Sequence, residues 1–185
     1  MQGTLVTAVL DLAQRQHGAI TIAQLRRLGV SAKSQRTAVR HGWLVVDPSG
    51  VLITAGTPDT WSRRLHIGLL ALDRRAWVSH DAAAQLYRLP MTPADRVEFT
   101  LPRAARGLRT TLRVHTTDEL EPGDVRTTAG IRATSPARTV VDLARAGCGP
   151  ARLAASIDDL ARRGLGSRAA IEARLSQPLR RGLAA

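Results

Sequence analysis

The most constraining feature of the chain is a run of three short amphipathic segments, each closed by glycine, followed at once by two β-branched strands around a turn. Leu5, Val9, Leu12 and Ala13 recur at three- and four-residue steps and Gly18 closes the segment, as expected of a first helix. Thr21 offers an N-cap hydroxyl for Ile22 to Leu28, ended by Gly29, and Ser31 caps a third helix from Ala32 to about His41, stopped by Gly42. Trp43 to Val46, the turn Asp47-Pro48-Ser49-Gly50, and Val51 to Thr54 then read as a hairpin. A hairpin directly behind a helix-turn-helix is a wing, so residues 1–57 are expected to form a winged helix-turn-helix that binds double-stranded DNA.

At 100° per residue, Ala32, Gln35, Ala38 and Val39 fall on one side of the third helix. Lys33, Arg36, Thr37 and Arg40 point the other way, with Ser34 and His41 at the margin. Arginine bridges guanine O6 and N7 or clamps phosphate, and lysine and threonine do either more weakly, so the outward set is the candidate reading face. The same residues also suit an ordinary solvated helix surface.

The remainder, residues 58–185, reads as an α+β interaction domain with a small antiparallel sheet and C-terminal helices. Trp61, Leu65, Gly68, Leu69 and Leu72 mark a helical stripe, and Ala76-Trp77-Val78 a buried strand. In the string Ser79-His80-Asp81, adjacent residues are expected to be unable to point their side chains into a catalytic relay, and Ser79 is expected instead to cap the helix that follows. Val97 to Leu101 and Leu112 to Thr116 alternate with period two and are expected to pair antiparallel across a basic tip bearing Arg103, Arg106 and Arg109. That tip suits a nucleic-acid backbone, an acidic protein or plain solvation. A short hairpin from Val125 to Ala133 and three helices, Ala137 to Ala146, Ala151 to Arg163 and Ser167 to about Ser176, complete the reading.

Composition narrows the classes. The formal charge is +12 and Lys33 is the sole lysine among 27 basic residues, which fits a polyanion partner or an arginine-rich codon vocabulary. One cysteine, Cys148, excludes an internal disulfide and leaves no zinc cluster, as suits a reducing compartment. No signal-peptide pattern or long apolar run is present, so a cytoplasmic protein without membrane contact is expected. His66, His80 and His115 are scattered along the chain, and no catalytic residues, metal ligands or cofactor motifs emerge.

The order of these parts resembles a known family. The winged helix is followed by Ser79-His80-x-x-Ala83-Ala84-x-Leu86, Thr100-Leu101-Pro102-Arg103, Arg113-Val114-His115 and the string Thr134-Ser135-Pro136-Ala137-Arg138-Thr139-Val140-Val141-Asp142-Leu143-Ala144. Together these are similar to the AbiEi antitoxins over nearly the whole chain. The resemblance implies a winged helix that represses its own operon, binding the operator, and a second half that neutralises a nucleotidyltransferase toxin in a type IV toxin-antitoxin system. The alternative is a protein-interaction module, or the scaffold of a restriction-endonuclease-like protein; such a domain follows in some relatives but is not expected here. Two departures stand out: Gln35 occupies a core-facing place usually aliphatic in relatives, and the wing carries Asp47 where theirs carry arginines.

Overall fold

The computed structural model describes residues 2–73, 75–90, 96–105, 112–118 and 120–175. The first half runs α1 (Gln2–Arg15), β1 (Ala19–Ile20), α2 (Ile22–Arg27), α3 (Ala32–Arg40), β2 (Leu44–Val46) and β3 (Leu52–Thr54). Its strands form an antiparallel sheet in the order β1-β3-β2. This is the expected winged helix, with Ala19-Ile20 adding the third strand.

Local chemistry explains the elements. Thr21 and Gln24 form a reciprocal capping box at the start of α2, so two orphan donors of the first turn are satisfied. The Gln24 side chain also exchanges hydrogen bonds of 2.8 and 3.2 Å with Gln16, which ties the end of α1 to α2. Ser31 accepts from the Ser34 amide to open α3. Gly18 turns the chain with φ +88°, and a Cβ there would lie 2.4 Å from Thr57 Oγ1, so both conformation and space require glycine.

The second half contains α4 (Trp61–Ala71), β4 (Trp77–Val78), α5 (His80–Leu86), β5 (Glu98–Pro102), β6 (Arg113–Thr117), β7 (Val125–Thr128), β8 (Ile131–Thr134), α6 (Pro136–Arg145), α7 (Pro150–Arg162) and α8 (Arg168–Leu175). The five strands form a mixed sheet, β6-β5-β4-β8-β7. The hairpin β7–β8 is antiparallel as expected, whereas β4 and β8 are parallel.

One expected pairing is corrected. β5 and β6 run parallel, with Glu98 opposite Arg113 and Pro102 opposite Thr117. A period-two alternation is the same in either direction, so it carries no information on strand sense. Parallel strands need a connection that returns along the sheet, and Arg103 therefore lies beyond the end of β5 rather than at a hairpin tip. Arg106 and Arg109 lie outside the described residues, as does Ser176 at the expected end of the last helix.

Helix α4 has two buried faces. Leu65, Leu69 and Leu72, on the stripe read from the sequence, enter the large core with Val78, Phe99 and Val140. Ile67 and Leu70 instead join Ala19 and Val51 beneath the winged helix. A further cluster of Ile20, Leu25, Leu44 and Leu52 closes the winged helix from within. No helix among the described residues is long and apolar enough to cross a membrane.

Candidate nucleic-acid interface and a buried polar cluster

The winged-helix sheet and α2 hold α3 by a narrow inner face. Gln35 is 7% exposed and donates to the Val30 carbonyl at 2.8 Å, so this buried amide closes the turn between α2 and α3 where an aliphatic side chain would leave that carbonyl unmet. Ala38 is half-buried beside it. Ala32 and Val39, placed on the inner side by the helical projection, are exposed. The helix is only nine residues long and touches its support through its middle, so its first and last turns stand clear.

The opposite face carries the predicted set. Lys33, Ser34, Arg36 and Arg40 are exposed and Thr37 is half-buried. The Ser34 hydroxyl lies 2.9 Å from the Ser31 hydroxyl at the cap. Lys33, Arg36 and Arg40 make no ion pair with any described residue, so three cations stand without counter-charge on one face. Arg26 and Arg27, in the last turn of α2, are exposed beside this helix. The sequence reading passed over both, although their place at the end of the first helix of a helix-turn-helix was the available signal.

The wing differs in character. Asp47 accepts from the Ser49 amide at 2.8 Å and from the Ser49 hydroxyl, which fixes a tip with no basic residue. Trp43, Val45 and Val46 are more than half exposed, and the Trp43 ring stacks on His41 with centroids 5.4 Å apart.

A second group assembles where the sequence suggested scatter. His80 and His115 stack with ring centroids 3.8 Å apart and planes at 23°. His66 lies elsewhere, 5.0 Å from the His17 ring. Ser79 does occupy the N-cap position of α5, yet its hydroxyl makes no capping bond. It accepts from Thr100 Oγ1 at 2.8 Å and lies 2.9 Å from His80 Nδ1. With Thr100 donating, the Ser79 proton is directed to His80 Nδ1, which places the proton of the neutral imidazole on Nε2. Adjacent Ser79 and His80 therefore do meet, but Ser79 is fully buried with its hydroxyl engaged on both sides, and it presents no nucleophile.

Glu98 organises the edge of this cluster. Its carboxylate forms an ion pair with Arg113, Nε lying 2.8 Å away, lies 3.3 Å from His115 Nε2, and meets the Asp81 amide at 3.4 Å, the contact that the Ser79 hydroxyl forgoes. Burial raises the Glu98 carboxyl, but the His115 hydrogen bond and the charges of His80 and Arg113 outweigh it and hold the group below its ordinary range. Burial lowers the His80 pKa to about 4, aided by His115, Arg138 and Arg113 and opposed by Glu98.

Behind the histidines, Arg138 is 3% exposed in its side chain and spans two carboxylates. Its Nε donates to Asp142 Oδ1 at 2.7 Å and Nη1 to Asp124 Oδ2 at 2.9 Å. Asp142 Oδ2 is buried without a hydrogen-bond partner among the described residues. Burial raises the Asp142 carboxyl against the pull of Arg138. A cavity of about 470 Å³ opens beside these groups, lined among others by His80, Arg103, Arg113, His115, Asp142 and Arg145. Among the described residues no group of three or more His, Cys, Asp or Glu is arranged to hold a metal ion.

Fold and exposed helix define the class: a winged-helix protein with an appended α+β half. Residues 8–46 match the family described as transcriptional regulator, AbiEi antitoxin, the family that the sequence motifs resemble. The crystal structure of the RV2827C protein from Mycobacterium tuberculosis shares the fold, with a TM-score of 0.57 at 22% identity over 95% of this chain and 72% of that one. No curated protein matches the sequence.

Proposed function

We infer that the chain is a cytoplasmic DNA-binding antitoxin and autorepressor of a type IV toxin-antitoxin operon, with α3 as its reading helix and no catalytic role. The observation that carries this reading is the exposed face of α3, where Lys33, Arg36 and Arg40 have no counter-ion among the described residues, on a segment that matches transcriptional regulators. In this reading the first turn of α3 enters the major groove, Ser34 and Thr37 flank the basic residues, and Arg26 and Arg27 meet phosphates as the preceding helix crosses the backbone. Arg103, paired with Asp118 beyond the end of β5, is proposed as a further contact to the DNA backbone. The second half is assigned to the toxin, a nucleotidyltransferase by the family resemblance.

The test is a binding titration on the operon's own upstream DNA and on a random duplex of equal GC content. Preference for the upstream DNA by about a thousandfold or more is expected of specific recognition, and equal binding to both removes the autorepressor reading. A second reading, in which the first half docks on protein, is favoured by the apolar wing, where Trp43, Val45 and Val46 stand exposed and no cation is present. Absence of binding to either duplex, with capture of the toxin by the full chain that is lost in W43A, would leave that reading in its place.

A further inference from the structure

The cavity beside the stacked histidines is built from four separate stretches of chain: His80 at the start of α5, Thr100 and Arg103 from β5 and its end, Arg113 and His115 on β6, and Asp142 and Arg145 on α6. Two features distinguish it from a surface that merely carries charge. First, both arginines are paired with a carboxylate at the Nε side: Arg103 Nε donates to Asp118, and Arg113 Nε lies 2.8 Å from Glu98 in an ion pair. Their terminal nitrogens Nη1 and Nη2 make no bond to any described residue. A guanidinium fixed at Nε presents its two outer nitrogens as a held fork, the geometry that suits a phosphate or carboxylate.

Second, Asp142 lines the same cavity with a side chain 7% exposed, and its Oδ2 has no donor among the described residues. An unmet buried acceptor is uncommon, and it suits a ligand that brings a donor. The two anchored arginines lie at opposite ends of the parallel pair, Arg113 at the start of β6 and Arg103 past the end of β5. Both side chains nevertheless line one cavity, whose volume of about 470 Å³ suits a ligand of nucleotide size rather than a single inorganic ion.

We propose that this cavity binds a small organic phosphate of nucleotide size, with its anionic groups on Arg103 and Arg113 and a hydrogen-bond donor on Asp142. His80 and His115 form the wall of the site. The stacked rings add a flat surface to the site. The site does not depend on α3 and goes beyond the reading of the chain as a DNA-binding regulator.

The experiment titrates the full chain with adenosine, adenosine 5′-monophosphate and adenosine 5′-diphosphate by calorimetry, and follows the His80 and His115 ring resonances by NMR. Saturable binding that strengthens from nucleoside to diphosphate, with both histidine rings shifted, is the expected result. R103Q and R113Q should each weaken the diphosphate by about tenfold or more, as loss of one charge-assisted pair implies. R152Q removes an exposed positive charge on α7, outside the cavity, and should leave binding unchanged. Adenosine binding as well as the diphosphate, no saturation by any of the three at millimolar concentration, or equal loss in R152Q would each overturn the proposal. Both cavity arginines are substantially exposed, so their variants are expected to fold, and a thermal melt of each verifies it.

Discussion

Replacing Gly68 by alanine sets helix propensity against packing in the helix shared by both halves. In the interior of a helix alanine is favoured over glycine by about 0.8–1.0 kcal/mol, so on local grounds the variant should be more stable. A Cβ at this position would lie 2.0, 2.5 and 3.0 Å from Cζ, Cε2 and Cε1 of Phe99. Ordinary carbon contacts need about 3.5–4.0 Å, so helix and ring must part by roughly 1.5 Å. The ring has little room to yield, because Phe99 is fully buried on β5 between β4 and β6. Overpacking of this kind costs about 1–3 kcal/mol, and three ring atoms in conflict place Gly68→Ala at the upper end. Subtracting the propensity gain leaves a net loss of about 2 kcal/mol, or roughly 4–8 °C in Tm for a chain of this size. Urea and thermal unfolding followed by circular dichroism measure it. Phe99→Leu made in the Gly68→Ala background should be destabilising by less than in the wild type, with a coupling above about 0.5 kcal/mol. A Gly68→Ala protein as stable as the wild type, or strict additivity in the pair, would refute the reasoning.

Arg36→Ala and Arg40→Ala should each cost about 1–3 kcal/mol on the preferred DNA when the contact is to a base, and equal loss on random DNA would mark a phosphate contact. With Arg26, Arg27, Lys33, Arg36 and Arg40 on the backbone, log affinity should fall against log salt with a slope of about −4 to −5, and a slope near zero would exclude this face. Arg138→Met leaves Asp124 and Asp142 buried without their cation and should destabilise by about 3–5 kcal/mol near neutral pH. Asp142 already has a raised pKa, and losing Arg138 raises it further, so the deficit in a chemical-denaturation series should shrink as pH falls towards the carboxylate range; a deficit that grows on acidification would contradict the arrangement. His80 has a folded pKa depressed from 6.5 to about 4, so its neutral form supports the fold fully above pH 6.5 and that support is lost as pH falls through this window. An NMR titration should place its midpoint near 4, and a midpoint near 6.5 would show the ring to be solvated.

The legible parts of the sequence were those governed by neighbours along the chain. Thr21 and Ser31 cap the helices they precede because their hydroxyls need only reach an amide three residues on. The outward face of α3 followed from helical geometry alone, while the exposure of Ala32 and Val39 did not, since it depends on how little of α3 the rest of the molecule covers. Glu98 and Thr100 alternate with Phe99 and Leu101, a pattern that ordinarily marks one solvated and one buried face. All four are buried, and the second face is a polar interior. Strand direction is invisible to alternation, and with it the register that sets Thr100 opposite His115. One signal was present: His80, Arg113, His115, Arg138 and Asp142 all belong to the strings that carry the family resemblance, and the fold gathers them at one cavity.

The double burial of α4 has a consequence for synthesis. A chain made from its N-terminus completes the strands of the winged helix at Thr54, yet Ala19 and Val51 are covered only when Ile67 and Leu70 arrive. At about 5–20 residues per second the intervening segment takes roughly 1–3 s to emerge, long on the scale of local folding. Through that interval the nascent winged helix carries an uncovered apolar patch beside its basic reading helix, and α4, once released, must still wait for β4 and β5 to cover its other face. The ribosome thus meets the two halves of this protein as one folding unit whose closing step belongs to the last of the sheet.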